Sequence, residues 1–141
     1  MAVNYQVEKY GSGMRINVAA MPGWFPELSH VEMVQQVAAY GFRSFEALSA
    51  GKWTDKAEVK AACIDLGVVP GCISGSGSIT GDGPVNLSFH RKFELDIRNA
   101  IQEAQALGTK CLCGTVGAAI ERLSPERQAD NLVLAGRRVA P

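Results

Sequence analysis

AAYGFRSFEAL, residues Ala38–Leu48, is the stretch that decides the fold. An amphipathic helix runs into Tyr40, Gly41 supplies a residue free to turn left-handed and end it, and a short strand follows within a few residues. In that strand, about Ser44 to Leu48, the period is two. Phe45 and Ala47 share one face, and Ser44, Glu46 and Leu48 the other. The same junction returns at Leu66-Gly67-Val68 and at Leu107-Gly108-Thr109. A helix closed by glycine and followed at once by a strand is the repeat of a βα protein with parallel strands.

The flanking pieces fill in the units. Arg15 to Met21 (RINVAAM) reads as a first strand stopped by Pro22-Gly23, and Ser29 with Glu32 three residues on forms a capping box that opens helix 1. Val31, Val34, Val37 and Ala38 line its apolar side. Helix 2 starts near Thr54 and carries Val59, Ala62, Cys63 and Leu66 at helical spacing. Strand 3 spans Val68 to Ser74, weakened by Pro70 and Gly71, which remove a ladder donor and favour a bulge. Helix 3, about Leu87 to Leu107, shows a stripe of Phe93, Ile97, Ile101 and Ala104. Strand 4 is Lys110 to Val116, and Ser124-Pro125 opens helix 4, whose stripe is Ala129, Leu132, Val133 and Gly136. A fifth strand is expected where the sequence reaches Val139-Ala140-Pro141.

At 141 residues the chain suits one domain, and its 14 basic and 14 acidic side chains balance to a formal net charge of zero. No broad basic surface is therefore expected for nucleic acid or an anionic membrane. Met1 to Gly13 has no apolar core of a signal peptide, and no run reaches the roughly 18 residues of a spanning helix. These features predict a cytoplasmic protein with no membrane and no nucleic-acid partner. Four cysteines in an apolar, cysteine-poor composition predict reduced thiols, with Cys111 and Cys113 as buried small hydrophobes on one face of strand 4.

The motifs that could carry chemistry are few. Gly71 to Asn86 (GCISGSGSITGDGPVN) is a glycine-rich loop between a strand and a helix, but it lacks the lysine of a Walker loop and follows the third strand rather than the first. It predicts a flexible loop with room for a lid or substrate-contacting role. Glu46 near the carboxyl end of strand 2 lies where ligands bind in parallel βα folds. Trp24 and Phe25, just after strand 1, could wall a pocket at the same rim, while His90 is expected on a solvated helix face and His30 near a helix start. No Ser/His/Asp order, H-E-x-x-H or paired C-x-x-C motif occurs.

Four pieces in order, MRINVAAMPGWF, AAYGFRSFEAL, DLGVVPGCISGSGSIT and AIQEAQALGTKCLCGTVG, resemble the sugar isomerases and epimerases of the xylose-isomerase-like barrels, and among them the hydroxypyruvate isomerase family. The likeness runs from about Gly13 to Pro141, with residues 1–13 as an amino-terminal extension; it departs at Cys111 and Cys113, where relatives carry larger aliphatic side chains. It implies a (β/α) TIM-barrel-type fold, here about four βα units or half a barrel over residues 14–141. It also implies interconversion of hydroxypyruvate and tartronate semialdehyde, or a related isomerisation of a small hydroxy-carbonyl substrate. In that family a divalent metal of the Mg or Mn type stabilises the enediolate while two carboxylates move the proton. Those ligands and proton-transferring residues belong to later strands. The resemblance thus gives this half no catalytic and no metal residue, and offers Trp24, Glu46, Ser74 and Thr115 as a substrate-binding wall.

Two other readings remain open at the level of sequence. A non-catalytic half-barrel could self-associate, or pair with a second chain, through open strand edges. A doubly wound nucleotide-binding domain could use the Gly71 to Asn86 loop. In the first case, as in the isomerase reading, the 141-residue chain alone is expected to lack turnover.

Overall fold

The computed structural model describes residues 18–140. The readings made for residues 1–13 and for residues 15–17 of the first strand lie outside the described residues. The chain falls into two compact units, residues 18–73 with 104–111, and 74–103 with 112–140.

In the first unit the three glycine junctions form as the sequence predicts. Gly41, Gly67 and Gly108 all take positive φ, at 83°, 63° and 89°. That conformation costs an L-residue about 1–2 kcal/mol, which explains glycine at each helix end. Strands β1 (Ala19–Ala20), β2 (Ser44–Phe45) and β3 (Val69–Pro70) form one parallel sheet in sequential order. Helices α1 (His30–Ala39) and α2 (Lys56–Leu66) connect them and pack on each other. The capping box closes both ways: Ser29 N–H donates to Glu32 Oε2 at 2.9 Å, and Glu32 N–H to Ser29 Oγ at 3.3 Å. Met33 joins Val34 and Val37 on the buried side of α1.

The sheet register divides its two faces. Ala20 and Pro70 flank Phe45 in register across the strands and all three are buried, whereas Ala19 is half-buried, Ser44 half-buried and Val69 exposed. Burying Phe45 completely contributes about 1.5–3 kcal/mol.

Strand 3 is interrupted rather than continuous. Strand β4 (Ile73–Ser74) follows β3 after a two-residue break at Gly71-Cys72, and it pairs with β5 (Leu112–Cys113). Ile73 N–H donates to Cys111 O at 3.2 Å and Gly75 N–H to Cys113 O at 2.8 Å, the spacing of parallel pairing. The segment after the third helix thus runs beside the segment after the second. A Rossmann sheet places its fourth strand beside its first, and a flavodoxin-like sheet its third beside its first rather than its second, so this order weighs against the nucleotide-binding reading. The architecture is mixed α/β, with four α-helices and short parallel strands in sheets of three and two, and no barrel is closed among the described residues.

In the second unit, the helix predicted from Leu87 begins as a 3-10 turn over Leu87–Phe89 and becomes α3 at His90–Leu107, whose last turn belongs with the first unit. Its inward residues include His90 and Ala100, while Ile101, expected in the stripe, is 42% exposed. Helix α4 (Pro125–Val139) starts as predicted, with Ser124 Oγ accepting from Arg127 N–H. Its buried face is not the predicted one. Asn131 and Ala135 are inside, while Leu132, Val133 and the neighbouring Leu134 are exposed. The reason is polar: Asn131 Nδ2 donates to Val85 O at 2.8 Å, and Gln128 Nε2 to Leu123 O at 3.0 Å, so amides that serve loop carbonyls take the inward positions.

The glycine-rich loop is stitched down rather than loose. Ala118 N–H donates to Gly81 O at 2.8 Å, Val85 N–H to Val116 O at 3.2 Å and Thr115 N–H to Ser76 O at 3.0 Å. A Cβ on Gly83 would stand 2.4 Å from Gly117 N, and one on Gly77 would stand 2.1 Å from Thr115 O. The glycines allow backbone to lie against backbone, and a lid motion here would have to break that seam.

Candidate functional site

Parallel βα units bring strand carboxyl ends and helix starts to one edge, and in the first unit that edge carries Glu46. Its N–H donates to Ala20 O at 2.9 Å, continuing the β1–β2 ladder by one residue. Alternation then turns its half-buried side chain to the same face as Ser44, away from Phe45 and Ala47, as the sequence predicts. Ala47 N–H donates to Cys72 O at 2.9 Å, which ties the loop after β2 to the loop after β3. The Cys72 thiol lies 3.7 Å from Glu46 Oε2 and donates to it. Gly71 permits this approach, since a Cβ there would stand 3.1 Å from Phe45 O and 3.4 Å from Ser44 Oγ.

The other predicted wall residues separate. Trp24, 57% exposed, lies in a 3-10 turn over Pro22–Trp24, and its ring packs on Phe42 with centroids 6.2 Å apart. Phe42 precedes β2, whereas Glu46 follows it. Ser74 and Thr115 belong to the second unit. Ser74 is exposed at the end of β4, and Thr115 Oγ1 is a buried hydroxyl oxygen with no hydrogen-bond partner among the described residues.

A cluster that sequence reading did not assemble occupies the same edge of the first unit. His30, the first residue of α1, places Nδ1 2.8 Å from Oδ1 of Asp55, the residue before α2. The imidazole stacks on Trp53 at 4.0 Å between centroids, and Trp53 on Phe45 at 6.4 Å. Beside them is a pocket of about 170 Å³ lined by His30, Trp53, Phe25, Met33, Leu28 and Ser49 among others. The signal available in sequence was positional: two polar residues at successive helix starts become neighbours in any parallel βα pair.

A larger groove of about 310 Å³ lies at the other end of the first unit, by the junction glycines Gly67 and Gly108, with Cys63, Ile64 and Lys60 in its wall. It is mainly apolar. Burial pushes the Cys63 thiol up to about 11, so it is a protonated packing group at neutral pH.

Two further expectations are corrected. His90 is buried, 4% exposed, with Nε2 2.9 Å from Pro84 O, because the chain turning into α3 folds that carbonyl back over the ring. Cys111 and Cys113 are exposed rather than buried. Among the described residues no group of three or more His, Cys, Asp or Glu side chains could hold a metal ion, so the divalent metal that the resemblance implies has no ligand set there. Also among the described residues, no helix is long and apolar enough to cross a membrane. No protein-family model matches the chain, and no curated protein matches it.

Proposed function

We propose that these βα units are the substrate-contacting part of a hydroxypyruvate-isomerase-like enzyme of the TIM-barrel type, acting on a small hydroxy-carbonyl compound. The observation that carries this reading is Glu46. It stands at the carboxyl end of a central parallel strand, half-buried on the sheet face opposite Phe45, with only the Cys72 thiol donating to it in a described hydrogen bond. A carboxylate so placed accepts a hydrogen bond from a substrate hydroxyl and orients it. Sequential strand order and the glycine-closed repeat support the barrel-type assignment. Trp24 in the first unit, and Ser74 and Thr115 in the second, remain proposed substrate contacts. Proton transfer between the two carbons is assigned to residues outside this set, so the chain by itself binds substrate and does not turn it over.

Titration of the 141-residue chain with hydroxypyruvate, followed through the backbone amides, tests this. Saturable shifts centred on Glu46 and Cys72, weakened in Glu46→Ala, are expected; their absence overturns the proposal.

A further inference from the structure

His30 is fixed at one nitrogen and on one face. Asp55 accepts from Nδ1–H, and Nε2 is the ring nitrogen left over. The indole beneath the ring belongs to Trp53, 6% exposed and itself stacked on fully buried Phe45. Within the described residues Nε2 makes no hydrogen bond, and the ring forms part of the wall of the 170 Å³ pocket. A strut between two helix starts requires Nδ1 alone. Here the ring forms part of a cavity wall, in an orientation set by an acceptor and a stacked ring, as in sites where histidine meets a ligand. Because Trp53 stacks on Phe45, the pocket lies on the Phe45 side of the sheet, while Glu46 faces the other side.

We propose that this pocket is a second binding site, for a small uncharged alcohol or diol whose hydroxyl donates to His30 Nε2 and whose second oxygen accepts from the Ser49 hydroxyl. Size points to a small ligand, since drug-sized pockets span roughly 300–1,000 Å³ and this one is about 170 Å³. Chemistry narrows it further. Pro22, Phe25, Pro26, Leu28, Met33 and the Trp53 indole offer a carbon skeleton an apolar wall, and Ser49 and His30 are the polar side chains that line it. Among the described residues no ammonium or guanidinium group belongs to the lining. Asp55 brings a carboxylate to the cluster, which disfavours a second carboxylate nearby. Lys56, next to Asp55, directs its ammonium to the Trp53 carbonyl oxygen. The site stands independently of the function proposed for Glu46.

The chain has two histidines, and His90 is buried with its Nε2 at the Pro84 carbonyl, so acylation of the native chain by diethyl pyrocarbonate reads His30. Propane-1,2-diol is the probe. At twice its dissociation constant it is expected to slow acylation about threefold, saturably, while sodium lactate at equal concentration does not. Leu28→Trp, which adds bulk from a position 37% exposed, is expected to remove the protection, and Ser49→Val to weaken it, both with unchanged far-ultraviolet circular dichroism. Absence of saturable protection, equal protection by lactate, or full protection in both folded variants overturns the proposal.

Discussion

Gly83→Ala tests the reading that the glycine-rich loop is fastened by backbone contact. The added Cβ would stand 2.4 Å from Gly117 N and from the carbonyl carbon and oxygen of Val116, and an ordinary contact begins near 3.4 Å. The two segments must therefore part by about an ångström. That parting breaks or stretches Val85 N–H to Val116 O and Ala118 N–H to Gly81 O. Two backbone hydrogen bonds at about 0.5–1.5 kcal/mol each, offset by the roughly 0.4–1 kcal/mol that Gly→Ala gains through the unfolded chain, leave a net loss of about 1–2 kcal/mol. Gly51→Ala is the control, because nothing lies within 4 Å of its Cβ position and its φ is ordinary. Urea unfolding is expected to show a lower midpoint for Gly83→Ala and an unchanged or higher one for Gly51→Ala. Hydrogen exchange is expected to speed at the Val85 and Ala118 amides. Equal midpoints for the two variants, with exchange at those amides unchanged, would refute the seam.

Three further outcomes follow from the geometry. Ser29→Ala removes the side-chain half of the capping box, the hydroxyl that accepts from Glu32 N–H and donates to its carboxylate, and leaves the backbone N–H of residue 29 on Glu32, with an expected cost of about 1 kcal/mol in urea unfolding. Ser29 holds the Glu32 carboxyl below its ordinary 4.5, a contribution present above that pH and lost as pH falls through the folded value. The stability difference between the parent chain and Ser29→Ala should therefore narrow on acidification below about pH 4.5; a constant difference would count against the carboxylate's part in the box. Asn131→Leu leaves the Val85 carbonyl without its donor and is expected to destabilise by about 1–3 kcal/mol despite the added apolar surface, whereas Val133→Asn on the exposed side should change little. With a thiol reagent at pH 8, exposed Cys113 should react early and Cys63 only on unfolding, read by mass spectrometry of labelled peptides.

What the sequence made legible is local. Helix starts at Ser29 and Ser124-Pro125, and helix ends at Gly41, Gly67 and Gly108, are fixed by backbone groups within a few residues, so pattern alone finds them. The alternation that sets Glu46 opposite Phe45 is of the same kind. Features decided by distant partners escaped. The inward face of α4 depends on a carbonyl 46 residues away, which makes Asn131 a core residue and leaves Leu132 and Val133 outside. His90 is buried because of the loop before it, whose Pro84 carbonyl meets its ring. The His30–Asp55 pair spans 25 residues, and only the meeting of two successive helix starts brings it together.

The functional reading rests on a substrate wall without its own proton-transfer step, and one titration addresses both parts. Hydroxypyruvate added to the 141-residue chain with magnesium or manganese present, followed by NMR of the protein amides and of the ligand carbons, reports binding and turnover together. The account predicts saturable shifts at Glu46 and Cys72 and no tartronate semialdehyde. Unperturbed amides at saturating ligand, or tartronate semialdehyde formed by this chain alone, would contradict it.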